Sequence, residues 1–129
     1  MIIGIGTDII ETERFIGISK KKNLMDRIFT PKEQQYFNGR NYSSLAADFA
    51  AKEAFSKAVG TGFRSFSPVD IEVLRDELGK PYINLYNNAK ITADEMNVGK
   101  IHLSLSHSKE NAIAYLILED QQNETCHRQ

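Results

Sequence analysis

Residues 49–62 read FAAKEAFSKAVGTG, and this stretch constrains the fold more than any other. At 100° per residue, Ala47, Ala50, Ala51, Ala54, Phe55 and Ala58 gather on one arc of a helix. Alanines add little to the radius of a helix, so this arc can approach a sheet or another helix closely. Phe49, Glu53, Ser56, Lys57 and Gly60 take the opposite arc. Ser43 or Ser44 suits the N-cap, and Gly60-Thr61-Gly62 closes the far end. A helix over residues 44–59 with such an apolar side needs a second layer to cover it.

The remaining sequence supplies strands for that layer. Residues 1–5 form a β-branched run, which Gly6 is expected to break. Asp8 then stands at or just past a strand end, beside Ile9 and Ile10. Glycines on either side of Ile5 signal backbone crowding or a bend. Residues 11–29 carry a broken helical period, which Gly17 and the Lys20, Lys21, Lys22 run divide into two short helices. Thr30, Pro31 and Glu33 spell a capping box with proline at the first helical position, and Asn38-Gly39 stops that helix near Phe37.

Beyond the long helix, Pro68 leads into a strand over residues 69–74. RDELGKP turns the chain, and YINLY returns as the second arm of a hairpin. Residues 88–96 favour a helix. KIHLSLSH alternates Ile101, Leu103 and Leu105 against His102, Ser104 and Ser106, and NAIAYLIL reads as the last strand. The predicted class is α+β: an antiparallel sheet of four or five strands packed against the 44–59 helix, with shorter helices in the N-terminal half. One domain over residues 1–119 and a polar, fraying tail over 120–129 fit a chain of 129 residues.

Charge narrows the function classes. Sixteen Lys and Arg against 17 Asp and Glu leave no global field for nucleic acid or a membrane surface. No apolar run reaches the roughly 18 residues of a membrane span, and MIIGIGTDII lacks a signal peptide's basic start. A cytoplasmic protein is expected. Cys126 is the only cysteine, so no internal disulfide forms.

Glu53 and Lys57 alone make an i,i+4 pair worth about 0.3–0.5 kcal/mol on a solvated face. Gly60 and Gly62, at the end where Lys57 points, would let an anion approach main-chain N–H groups. Phe49, Lys52, Glu53, Ala54 and Lys57 together spell F-x-x-K-E-A-x-x-K. This resembles the signature helix of the 4′-phosphopantetheinyl transferases, and especially their small single-domain members, the holo-[acyl-carrier-protein] synthases. Four further blocks share the resemblance in the same order: GIGTDIIE, RIFTPKE, LGKPYI and HLSLSHSKENA. It extends to about Glu119.

The resemblance implies a reaction. Coenzyme A would donate its 4′-phosphopantetheine arm to a serine of an acidic apo acyl carrier protein, and adenosine 3′,5′-bisphosphate would leave. It implies Mg²⁺ held by Asp8 and Glu53, with Lys57 on phosphate oxygens and His107, in Ser106-His107-Ser108, as a further donor near the phosphates. Gly60, Thr61 and Gly62 would line the nucleotide path. Gly79, Lys80 and Pro81 would lie near the adenosine, often from a neighbouring subunit of a homotrimer with sites between subunits. Arg14, Met25 and Arg27 would meet the carrier, with Lys20, Lys21, Lys22 and Phe29 nearby. A water on the metal relayed through Glu53 is favoured to take the serine proton, with Asp8 or Glu53 itself as alternatives.

One position departs from the family pattern. A basic residue usually precedes the FAAKEA core, and this chain has Asp48. That change should disfavour a nearby phosphate unless Lys52, Arg40 or Arg64 replaces the lost cation. Two other readings suit the same residues: a metal-dependent phosphohydrolase of nucleotides or pyrophosphate, and a non-catalytic binding module. The pathway served by the carrier stays open.

Overall fold

The N-terminal run does not stop at Gly6. In the computed structural model, which describes residues 1–62 and 65–122, strand β1 (Ile2–Glu11) continues through Gly4, Gly6 and Asp8. The glycines serve close packing, not a break. A Cβ at Gly6 would stand 1.8 Å from the Ala54 carbonyl oxygen, and one at Gly4 would stand 2.4 Å from that of Ala58. Only hydrogen fits between this strand and the backbone of the helix above it.

That helix is α4 (Tyr42–Val59). Its N-cap is Asn41, whose side-chain oxygen accepts the Ser44 N–H at 3.1 Å, so the helix starts earlier than a serine cap would set it. Three short helices precede it: α1 (Arg14–Ile18), α2 (Lys22–Ile28) and α3 (Pro31–Phe37). The division of residues 11–29 into two helices matches the expectation. So does the capping box on α3, where Thr30 accepts from the Glu33 N–H and Glu33 from the Thr30 N–H.

Five strands form, but in two ladders, where the sequence suggested one sheet. Strands β1, β5 (Asn111–Asp120) and β4 (Val98–His107) make an antiparallel sheet with β5 in the middle. Strands β2 (Ile71–Arg75) and β3 (Pro81–Leu85) make a separate hairpin, and β3 lies beside β4 without joining its ladder. Helix α5 (Asn87–Glu95) connects the two sheets. Strand β2 starts later than predicted because residues 68–70 wind into a 3₁₀ turn, with the Asp70 carboxylate accepting the Ser67 N–H.

Strand alternation gives the three-stranded sheet one buried face. Ile10 on β1 and Ala112, Ala114, Leu116 and Leu118 on β5 are buried under α4, and Ile101, Leu103 and Leu105 on β4 flank them. Asp8 sits on this face, in register with Ala114 and Leu105. Helix α4 is buried nearly all round, including Asp48, Lys52 and Ser56. The open arc read from the sequence shrinks to a narrow strip carrying Glu53 and Lys57. Strand β5 includes Asp120, one residue into the expected tail, and residues 123–129, with Cys126, lie outside the described residues. Among the described residues, no helix is long and apolar enough to cross a membrane.

Candidate active site

Close packing of α4 on β1 brings two remote carboxylates together. Asp8 projects toward the helix from mid-strand, and Glu53 stands half-buried on the helix strip above it. Burial first, and then the Asp8 charge, push the Glu53 pKa above its ordinary value; Lys57 and Arg14 oppose the shift. Lys57 does not pair along the helix as the i,i+4 spacing suggested. Its ammonium donates to Asp8 Oδ1 at 3.1 Å and to the Thr7 carbonyl at 3.0 Å.

Two carboxylates and one ammonium on a half-open strip suit a hard divalent cation. Both acids offer oxygen donors, and their mutual repulsion favours a cation between them. Among the described residues, no group of three or more His, Cys, Asp and Glu side chains could hold a metal. A two-carboxylate site leaves room for phosphate oxygens and water, as Mg²⁺ prefers.

Beyond Lys57, Gly60 takes a left-handed conformation and closes α4 through its N–H to the carbonyls of Ser56 and Lys57. Gly62 also has positive φ, and the Thr61 hydroxyl donates to the Gly62 carbonyl. These three residues thus follow directly on the lysine. Arg14 opens α1 as an exposed residue, and its charge reaches Glu53. Arg27 is exposed in the last turn of α2.

Other expected site residues stand apart within one chain. His107 ends β4, in register with Ala112 and Ile10, so it lies two strands across and one row along from Asp8. Two strand spacings alone are roughly 10 Å. Gly79, Lys80 and Pro81 lie at the β2–β3 turn, in the other sheet. Met25 is 4% exposed and Phe29 1%, so both are core residues of this chain and neither lies on its open surface. Helical spacing turns Met25 inward with Ile28, and Phe29 follows as the extended C-cap residue of α2.

Asp48 is buried on another side of α4 and accepts a hydrogen bond from Arg75 Nη1 at 2.6 Å. Burial pushes its pKa up to about 7 despite that guanidinium. Arg75 in turn lies 5.0 Å from the centre of the Tyr36 ring. Lys52 is fully buried. Its ammonium donates to Glu33 Oε1 at 2.9 Å, to the Pro68 carbonyl at 3.0 Å and to the Ile71 carbonyl. Burial pushes the Lys52 pKa down, against the pull of Glu33. It cannot replace a lost surface cation. Arg40 is exposed after α3, and Arg64 lies outside the described residues. Sequence reasoning missed Arg75 entirely and saw in Glu33 only its cap; an acid and a base at buried helix positions were the available signal.

The comparisons agree with this architecture. A family model described as the 4′-phosphopantetheinyl transferase superfamily matches residues 4–116. A holo-[acyl-carrier-protein] synthase of Clostridium novyi (strain NT) is 50% identical over 129 residues, covering 98% of this chain and 94% of that relative. The crystal structure of the Neisseria meningitidis holo-[acyl-carrier-protein] synthase superposes with a TM-score of 0.83 at 38% identity, covering 93% of this chain and all of that one. A Bacillus anthracis holo-(acyl-carrier-protein) synthase in complex with CoA (3′,5′-ADP) superposes with a TM-score of 0.75 at 42% identity, over 94% and 99% of the two chains. The chain belongs to the 4′-phosphopantetheinyl transferase superfamily and, within it, to the holo-[acyl-carrier-protein] synthases. It is therefore an enzyme, and the non-catalytic reading falls away.

Proposed function

We propose that this enzyme moves 4′-phosphopantetheine from coenzyme A to a serine of an acidic apo acyl carrier protein, with Mg²⁺, and releases adenosine 3′,5′-bisphosphate. The observation that supports it best is the convergence of Asp8, Glu53 and Lys57 beside Gly60, Thr61 and Gly62. The carrier serine oxygen bonds to the phosphorus that bears the pantetheine arm. The pyrophosphate P–O bond breaks, and the bisphosphate leaves with the electron pair.

Asp8 and Glu53 would hold Mg²⁺, which supplies charge compensation on the pyrophosphate when bound. Lys57, tethered by Asp8 and the Thr7 carbonyl, directs a positive charge at phosphate oxygens as negative charge builds on the leaving group. Glu53 feels the Arg14 charge, which supports the reading that it would relay the serine proton of a carrier docked through Arg14 and Arg27.

His107, Gly79, Lys80 and Pro81 would complete the site from a neighbouring subunit of a homotrimer. The outward face of the three-stranded sheet favours assembly: Ile5, Ile9, Ile113 and Tyr115 are 40–62% exposed there, on two adjacent strands. The cytoplasm, where coenzyme A and carrier proteins meet, is the expected compartment.

Intact-mass analysis of an apo carrier protein with coenzyme A and Mg²⁺ tests this reading. The carrier gains one phosphopantetheine group, and EDTA or Glu53→Gln prevents the gain. Coenzyme A consumed without a carrier would favour the phosphohydrolase instead. Sedimentation analysis tests the trimer.

A further inference from the structure

Lys52, Glu53 and Ala54 are consecutive, yet they point to three different surroundings. Successive helix positions turn by about 100°. Ala54 lies on the side where its carbonyl meets Gly6 of β1. Glu53 faces the site, and Lys52 is driven into the interior on the other flank.

The Lys52 ammonium meets three elements there. Glu33 Oε1, in the first turn of α3, accepts at 2.9 Å; the Pro68 carbonyl, in the 3₁₀ turn, accepts at 3.0 Å; and the Ile71 carbonyl, which opens β2, accepts the third bond. The ring of Phe29 lies 5.3 Å away. Glu33 is held by two further partners. Oε1 also takes the Thr30 N–H at 2.9 Å, and Oε2 takes the Val73 N–H at 3.0 Å. Neither residue touches Asp8 or Lys57 through these bonds.

An alanine-faced helix defines its own rotation poorly. Ala46, Ala47, Ala50, Ala51, Ala54 and Ala58 are buried and give α4 little relief, so its turn is left to Leu45, Phe55 and the two buried ion pairs, Asp48–Arg75 and Lys52–Glu33. The contacts at Gly4 and Gly6 set how close α4 comes to β1, whereas non-directional alanine packing says less about how far the helix is turned about its axis. A buried ion pair is directional: a shift of an ångström removes its hydrogen bonds and leaves a charge without compensation.

We propose that the Glu33–Lys52 pair is a positioning device, which sets the rotation of α4 about its axis and thereby aims Glu53 at Asp8. This rests on the reading of Asp8 and Glu53 as the reacting site. Its role is geometric rather than stabilising, since exchanging a buried ion pair for neutral groups of similar volume is often neutral or favourable to stability. The catalytic effect is then separable from the stability effect.

The test is a neutral pair, Glu33→Gln with Lys52→Met, measured beside Lys52→Met alone and Glu53→Gln. The neutral pair should stay folded and melt well above Lys52→Met alone, which leaves the Glu33 charge unpaired; the backbone groups that both variants strip of partners keep it from exceeding the parent. With the neutral pair, kcat should fall by about tenfold or more, as sub-ångström misplacement can cause, and half-saturation by Mg²⁺ should rise. KM for the carrier protein, which depends on Arg14 and Arg27, should not move; a general loosening would shift it too. A folded neutral pair with parental kcat overturns the proposal, and so does a carrier KM that rises in step. If the neutral pair does not fold, Glu33→Asp decides: the shorter carboxylate draws Lys52 toward α3, and parental kcat in that variant overturns the device. Parental activity in Glu53→Gln removes the site reading, and the device with it.

Discussion

Lys57 Nζ stands 3.1 Å from Asp8 Oδ1, although 49 residues separate them in the chain. The lysine side chain is 54% exposed, so the pair adds no more than about 1 kcal/mol to stability. In the proposed reaction it would orient a cation over the site. Lys57→Met should leave the melting temperature nearly unchanged and lower kcat/KM on the order of 10²-fold, as loss of one charge-stabilising donor does. Initial rates and thermal melts on one preparation check this. A large drop in melting temperature with a retained rate would reverse the assignment.

Glu53 should show opposed effects on stability and activity. Its pKa is raised in the folded state, first by burial and then by Asp8. Folding therefore disfavours its charged form, and the stability deficit grows as pH rises from the unfolded value of about 4.3 through the folded value. Glu53→Gln removes that deficit. Without added metal, the variant should melt slightly higher at neutral pH, on the order of 1–3 °C, and the gap should close below about pH 4. Transfer activity should be lost. Melting curves across that pH range, with no gap at neutrality, would contradict the predicted sign.

Gly6 sets how closely β1, which carries Asp8, approaches α4, which carries Glu53. Gly6→Ala would place a methyl group 1.8 Å from the Ala54 carbonyl oxygen, so strand and helix must part. The expected loss is about 1–3 kcal/mol of stability, and more than tenfold in rate, because Glu53 sits beside Ala54. Gly17→Ala is the control, since nothing lies within 4 Å of a Cβ there. Equal effects at the two glycines would rule out a packing cause.

Asp48 belongs with Arg75, and restoring the basic residue usual in the family should harm this chain. Asp48→Arg sets two guanidinium groups against each other in a buried place, with an expected loss of about 3–5 kcal/mol. The exchange Asp48→Arg with Arg75→Asp should recover a measurable part of it. Denaturant titration of both single variants and the exchange gives the coupling. No recovery would mean that the pair itself is not what suits aspartate to this position.

Arg14 and Arg27 should act on encounter rather than on chemistry. Replacing both with alanine should raise KM for the carrier, weaken the dependence of kcat/KM on salt and leave the saturated rate close to the parent's. Rates at several salt concentrations test this. Lys22 is a poorer candidate because Asp26 already pairs with it at 2.9 Å.

Local chemistry explains which elements were legible. Thr30, Pro31 and Glu33 announce a helix start because their hydrogen bonds close within four residues, and α3 begins there. Alternation in residues 101–106 is likewise local and marks β4. Gly6 was misread as a break because a glycine in a strand has the same sequence signature whether the chain bends or a second backbone comes close. Met25 was expected beside Arg27 because the family resemblance sets that stretch against the carrier, while its inward direction depends on packing against the rest of the core.

The five motif blocks, the helix around residues 44–59 and the residue types able to hold a cation and a phosphate were determined by the sequence alone, since each block and each periodicity is written in neighbouring positions. Which charges face one another was decided only by the tertiary structure. Asp48, Lys52, Glu53 and Lys57 look alike in sequence, as charges spaced along one helix. The sheet, the hairpin and α3 sort them: Asp48 to Arg75, Lys52 to Glu33, Lys57 to Asp8, and Glu53 to the open strip. Those partners lie 19 to 49 residues away, and only packing brings them within hydrogen-bonding distance.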